Sequence, residues 1–220
     1  MAADPLLVFS PHLDDAVLSI GNELATRPGS VVVTVLAGMP VDETVATAWD
    51  ASCGFASAGD SLRARWEEDA AALAVLSASA IHLGFLDGQY GPADGGAISA
   101  EIERIIGDHP AHRVYAPFGL VHTDHILVSN CFVDAIATID RAECRLYADI
   151  PYYAKQGSLE RRRTELEQRG LVIGPLVEQT DEHPLKRQAR DCYVSQLRPL
   201  GDMPIDLPEL TAVVTCTSRR

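Results

Sequence analysis

The stretch LLVFSPHLDDAVLSIG, residues 6–21, runs an apolar segment into a histidine and two aspartates and then into a helical pattern. Buried parallel strands read as short apolar runs because both of their faces are covered, and open α/β sheets gather ligands just beyond the carboxyl ends of such strands. Residues 6–9 fit that strand. His12, Asp14 and Asp15 then fall on the turn into the helix, where neighbouring side chains can converge on one point. An aspartate in that place is ordinarily a helix cap, favoured by the dipole of the first turn. A histidine just ahead of the pair argues for more than a cap. One triplet does not make a metal site, since catalytic zinc takes three protein ligands and leaves a position open.

Outward from this stretch, strand patterns recur at residues 31–36, 81–85, 114–116 and 146–150, with 171–177 and 212–216 near the end. Helical patterns lie between the earlier ones, at residues 17–26, 62–76, 98–106 and 126–139. Such alternation predicts a three-layer, Rossmann-like α/β fold: a mainly parallel central sheet with helices on both faces, residues 1–220 forming a single domain. No GxGxxG follows the first strand, which argues against dinucleotide binding. Residues 39–60 show weak periodicity and read as a long loop of the kind that is functional or disordered, and residues 90–96 as a second loop.

The composition is that of an ordinary globular chain, 47 % hydrophobic and 22 % charged, so disorder is not indicated. A formal net charge of −13 opposes a nucleic-acid surface, which needs clustered Lys and Arg, and points to small neutral or cationic substrates. Neither a signal-like start nor a run of membrane-spanning length is present, and the expectation is a cytoplasmic enzyme or binding protein, with a homo-oligomer left open. Cys53, Cys131, Cys144, Cys192 and Cys216 are odd in number and lack CxxC spacing, so they read as reduced thiols.

GLVHTDHILV, residues 119–128, follows the strand pattern at 114–116 and opens a helix, which places it on the same sheet edge as the first triplet. It contributes His122, Asp124 and His125. Four ligand-type residues are then available: His12, Asp15, His125 and one of His122 or Asp124. Neutral imidazoles and carboxylates suit a hydrolytic zinc, which lowers the pKa of its water to about 7. One carboxylate must stay off the metal to take the water's proton. A histidine in a core is more often a hydrogen-bonded structural residue than a ligand, and His82, His109, His112 and His183 read that way.

PHLDDA together with HTDH resembles the LmbE-like (PIG-L) zinc-dependent N-deacetylases, whose signatures are PHPDDE near the first strand and HPDH or HxDH later. RWEEDAAAL (65–73), GFLDG (84–88), LYADIPYYA (146–154) and KRQARDCYVSQL (186–197) extend the resemblance over most of the chain. It implies one Zn²⁺ per chain held by His12, Asp15 and His125, with Asp14 as general base. It makes His122, in protonated form, the residue facing the oxyanion or the leaving amine, and Asp124 the carboxylate that orients a histidine of the site. Arg65 and Asp87 match positions that bind substrate hydroxyls in sugar-processing members. Taken locally, Arg65 would instead be a helix charge paired with Glu68 or Asp69, and Asp87 a turn residue in LDGQ. Leu13 and Ala16 depart from the usual Pro and Glu, and Leu120 stands where some members carry a tyrosine near the oxyanion.

The implied reaction is hydrolysis of an N-acetyl or N-acyl group from an amino sugar in a small molecule or glycoconjugate, in specialised, antibiotic-type metabolism or thiol-cofactor assembly. Two other readings stand beside it. An acidic pair after the first strand also suits Mg²⁺ in a receiver-like or phosphatase-like domain, although that leaves the histidines idle. The third is a catalytically silent binding protein of the same fold.

Overall fold

The computed structural model describes residues 3–139 and 143–216. Three parallel strands, β1 (Leu6–Ser10), β2 (Val31–Thr34) and β3 (Ser79–His82), form one side of the sheet. β1 also pairs in parallel with β4 (Arg113–Pro117), and β4 with β5 (Cys144–Tyr147). Beyond β5 the pairing turns antiparallel. There β6 (Leu171–Ile173) and β7 (Val177–Gln179) both pair with β8 (Glu209–Cys216), which lies beside β5. The order β3-β2-β1-β4-β5-β8-β6 makes an eight-stranded, mainly parallel sheet, as the alternation of patterns predicts.

β1 shows why its sequence is continuously apolar. Leu6 and Val8 pack into the layer formed by α1 (Asp15–Ala25) and α3 (Ala58–Val75), whereas Leu7 and Phe9 pack into the opposite layer with α4 (Gly95–Asp108) and α5 (Thr123–Ile136). Successive side chains of a strand point to opposite faces, so a strand covered on both sides must be apolar at every position. All four are fully buried, each worth about 1.5–3 kcal/mol in transfer free energy. The chain runs outward in both directions from β1 and β4. That makes the crevice beyond their carboxyl ends the topological switch point, the place where such sheets bind ligands.

Three parts of the fold depart from the sequence expectation. Residues 171–177 are two strands rather than one, since Gly174 and Pro175 interrupt them and proline cannot donate to a ladder. The expected loop at 39–60 contains α2 (Ala48–Cys53), a helix too short to show periodicity but started by a capping box in which Thr47 and Asp50 satisfy each other's backbone N–H groups. In the C-terminal part, α6 (Ser158–Gln168) buries only Ser158, Arg162 and Leu166, while α7 (Pro184–Arg190) and α8 (Val194–Leu200) each span about two turns. α7 braces α1 through the buried Lys186, whose Nζ lies 2.7 Å from Glu209 Oε1 on β8. The same oxygen accepts the Asn22 N–H at 2.8 Å.

Candidate functional site

Each ligand-type side chain is positioned by the end of a parallel strand. Ser10 closes β1 and stitches the turn that follows, its hydroxyl donating to the His12 carbonyl at 2.6 Å and accepting the Ala16 N–H at 3.1 Å. Asp14 occupies the cap position of α1, yet its side chain makes no capping hydrogen bond, so the ordinary reason for an aspartate there does not account for it. Asp15 is buried and turns back, Oδ2 accepting the His12 N–H at 2.8 Å.

After β4 the chain passes through Gly119, whose φ is +81° and where a Cβ would lie 2.5 Å from Ser129 Cβ, so only glycine fits. His122 caps α5, its Nδ1 accepting the Asp124 N–H at 3.2 Å. A ring nitrogen that accepts carries no proton, which leaves the proton of the neutral ring on Nε2. Burial, with His12 and His125 close by, holds the His122 pKa below its usual value. With Nδ1 engaged by the helix start, Nε2 is the ring nitrogen left for other partners.

The two strand ends converge. Asp15 Oδ2 lies 3.2 Å from His12 Nδ1 and 3.2 Å from His125 Nε2. His12, His122 and Asp124 form a second grouping that shares His12 with the first. The other ring nitrogen of His12, Nε2, meets Asp124 Oδ2 at 3.1 Å. Gly88 N–H donates to the same oxygen at 3.0 Å, an approach that a side chain would block because a Cβ on Gly88 would stand 2.6 Å from Asp124 Oδ1.

Asp149, just beyond β5, is a site residue that the sequence reading did not single out. Its Oδ1 lies 2.6 Å from His125 Nδ1, and Oδ2 accepts the Gly119 and Leu120 N–H groups at 3.0 and 3.2 Å. This contact puts the His125 proton on Nδ1 and frees the lone pair of Nε2, the arrangement that carboxylates impose on metal-binding imidazoles. The available signal was the aspartate closing the apolar LYADI, the same strand-end logic that marks His12. Asp149→Asn is expected to weaken divalent-metal affinity about 10- to 100-fold, as loss of such a partner does, measured by competition with a chromophoric chelator.

The donor set fits a metal ion. His125 Nε2 is buried and has no hydrogen-bond partner, and two imidazole nitrogens with one carboxylate suit zinc. A magnesium site made of oxygens would leave those imidazoles idle. The charges agree. Burial opposes a charged His12, but Asp87, Asp124 and Asp15 outweigh it and hold its pKa well above the usual value. His125 is pushed up to about 9 by Asp15 and Asp149 against the effect of burial. Asp15 stays well below the carboxylate range despite burial, because His125 and His12 favour its charged form. Carboxylates that draw protons onto these rings would draw a divalent cation in their place, since metal binding to such ligands releases protons. Asp14 differs: burial and repulsion from Asp15 push it up to about 6, only partly offset by Arg65 and His12.

The site floors a cavity of about 400 Å³. Arg65 and Asp87 line it. Arg65 is 2 % exposed, its Nε and Nη1 lack hydrogen-bond partners, and Nη1 stands 3.7 Å from Asp87 Oδ2. Its local candidates are otherwise engaged, Glu68 with the backbone N–H and hydroxyl of Ser195 and Asp69 with His82 and Tyr193. Asp87 does serve the turn, accepting the Gln89 N–H at 3.1 Å, while its other oxygen accepts Gln89 Nε2 at 2.8 Å and faces the cavity. Away from the site, His82 bonds Asp69, His109 bonds the Ile105 carbonyl and His183 caps α7, all structural roles.

The family description GlcNAc-PI de-N-acetylase (PIG-L) matches residues 7–136, which span both signatures. The chain belongs to the PIG-L family. PIG-L deacetylases are metal-dependent enzymes, and this PIG-L chain is an N-deacetylase. Among solved structures, a triple mutant of the Orf2 deacetylase involved in the teicoplanin biosynthetic pathway is 27 % identical, with 98 % of this chain and 100 % of that one covered at a TM-score of 0.82. The deacetylase Dbv21, acting on the pseudoaglycone of the antimicrobial A40926, is 26 % identical, with 99 % of each chain covered and a TM-score of 0.80. A hydratase, GalB from Pseudomonas putida, shares the fold at 18 % identity, 99 % and 98 % coverage and a TM-score of 0.61. A fold that also carries a hydratase does not by itself name a reaction, so the N-deacetylase assignment rests on the family match and the substrate is to be read from the site. No curated protein matches the chain. Among the described residues, no helix of this PIG-L protein is long and apolar enough to cross a membrane.

Proposed function

We propose that this PIG-L enzyme, residues 1–220 acting as one cytoplasmic domain, removes the N-acetyl group from an amino sugar carried on a larger aglycone, as in the tailoring of a specialised metabolite. The observation that carries the reading is the cavity itself. His12 and Asp15 line it and bring their ligand atoms together with those of the buried His125, while Arg65, whose Nε and Nη1 have no hydrogen-bond partner, lines it with Asp87. The full-length similarity to deacetylases of glycopeptide pathways supports the aglycone.

His12 Nδ1, His125 Nε2 and Asp15 would hold one Zn²⁺ per chain, which when bound supplies Lewis acidity and a water of lowered pKa. The protein residues do the rest. Asp14 touches neither histidine and is the carboxylate left to take a proton from the attacking water. His122 donates Nε2–H toward the oxygen that becomes negative, keeping Nδ1 on the Asp124 N–H. Asp124 and Asp149 orient His12 and His125 from behind. The leaving nitrogen must be protonated as the amide breaks, and Asp14, having just taken a proton, is placed to return it. Products are acetate and a primary amine, a cation that an acidic protein does not repel.

The test is to incubate zinc-loaded protein with a panel of N-acetylglucosaminyl compounds, free sugar, aryl glycosides and glycopeptide pseudoaglycones included, and to detect the primary amine released. Absence of amine from every member of the panel would sink the reading. Asp87→Ala is expected to lower kcat/KM on sugar substrates while leaving zinc content unchanged and affecting little a minimal N-acetyl amide without hydroxyls, because a site built to bond a hydroxyl loses that binding with its partner. Equal losses on both substrates would remove Asp87 from substrate recognition.

A further inference from the structure

Trp49 is a large aromatic side chain left 36 % exposed, and it lines the same cavity as the convergent histidines and aspartates. Fraying does not explain that exposure. Its helix, α2, is tied down by the Thr47–Asp50 capping box, by Tyr90, whose hydroxyl donates to the fully buried Asp50 Oδ1 at 2.6 Å, and by the left-handed Gly54 at its end. Thr47 Oγ1 also bonds Gln89, which in turn holds Asp87, so α2 is bonded to the loop that presents a cavity carboxylate. On the far side Gln196 of α8 reaches Cys53 Sγ at 3.8 Å. The second tryptophan shows the contrast. Trp66 donates its indole N–H to the Ala37 carbonyl at 3.2 Å and stacks on His82, whereas the indole N–H of Trp49 makes no hydrogen bond among the described residues.

The cavity is two-sided. Arg65, Asp87 and Gln89 supply polar groups to one part of its wall, and Leu18, Ile150 and Leu200, which pack together as an apolar cluster, supply another. A substrate with its N-acyl group at the metal-type residues and its sugar hydroxyls at Arg65 and Asp87 would leave the substituent at its anomeric carbon to the remaining lining, of which Trp49 is part. An indole one-third exposed on a tied-down helix is an unused stacking surface. Aromatic pairs prefer offset or edge-to-face contact and gain free energy beyond the area they bury.

We propose that Trp49 is a specificity-determining residue whose indole stacks on an aryl group attached to the amino sugar, so that the enzyme favours aryl glycosides over the free sugar. The inference rests on the proposed deacetylation of an amino sugar, and its test separates the two. Zinc-loaded protein is assayed on 4-nitrophenyl N-acetyl-β-glucosaminide and on N-acetylglucosamine. Trp49→Ala is expected to raise KM for the aryl glycoside about 3- to 10-fold, the size of one aromatic contact, with kcat and zinc content unchanged and KM for the free sugar moved less than about twofold. Trp49→Phe should recover most of the loss. Equal changes on both substrates would overturn the proposal, as would a loss confined to N-octanoylglucosamine, which would make Trp49 an acyl-chain contact. A binding arm needs no turnover: the nitrophenyl glycoside should quench the parent's tryptophan fluorescence and N-acetylglucosamine should not, and Trp49→Phe should abolish that difference. If neither substrate yields amine, the deacetylation reading falls while the quenching result still decides the role of Trp49. Undiminished quenching in Trp49→Phe would overturn it.

Discussion

Asp14→Asn protein should bind zinc as the parent does and hydrolyse the amide some 10²- to 10⁴-fold more slowly, the range that one general acid-base group contributes. The reasons are geometric first. Asp14 sits at the cap position of α1 without capping it, lines the cavity, and belongs to neither of the two ligand groupings. Asparagine keeps the shape and cannot take a proton. The environment points the same way, because burial beside Asp15 lifts the Asp14 carboxyl to about 6, toward the range in which a base is poised near neutral pH. Elemental analysis and initial rates on one substrate suffice as the check. Loss of zinc in Asp14→Asn with retention in Asp15→Asn would exchange the two roles.

Larger still in its effect on the metal is loss of a ligand. His125→Ala and His12→Ala are each expected to lose zinc on dialysis and to be inactive, with affinity falling further than the roughly 10- to 100-fold that an outer partner such as Asp149 controls. His125 Nε2 is a buried nitrogen with no hydrogen bond, and His12 Nδ1 faces the same Asp15 oxygen at the same 3.2 Å. Two ligands are too few for a catalytic zinc, which is built on three. A histidine variant that retained stoichiometric zinc would show the assignment to be wrong. Circular dichroism of the metal-free proteins separates ligand loss from misfolding, since the floor of the site lies on a sheet whose core is apolar and independent of the ion.

Adjacent residues were the easiest part to read. The apolar run before His12 and the HTDH after a second apolar run could be placed on one sheet edge because strand ends in a parallel α/β sheet all face the same way. The fold class and the metal-type residues followed from that directionality and from local pattern alone. Resemblance then supplied Arg65 and Asp87, where local pattern favoured a solvated charge and a turn residue.

Tertiary structure decided what depends on contacts between distant segments. Asp149 is 24 residues from the histidine it orients, and nothing in LYADI says which ring its carboxylate meets. Arg65 lines the cavity and is not paired along its helix, since Glu68 and Asp69 are taken by α8 and by Tyr193 and His82. α2 escaped the periodicity reading because six residues are too few to display a period, and its position against Tyr90 and Gln196 is a packing outcome. The engagement of His122 Nδ1 belongs here too, since the Asp124 N–H that it accepts comes from the geometry of a helix start. Sequence determined which chemical groups arrive at the switch point, because strand direction and side-chain alternation are local properties. Which oxygen meets which nitrogen was fixed only when β1, β4 and β5 came side by side, because those distances depend on sheet register and not on any spacing along the chain.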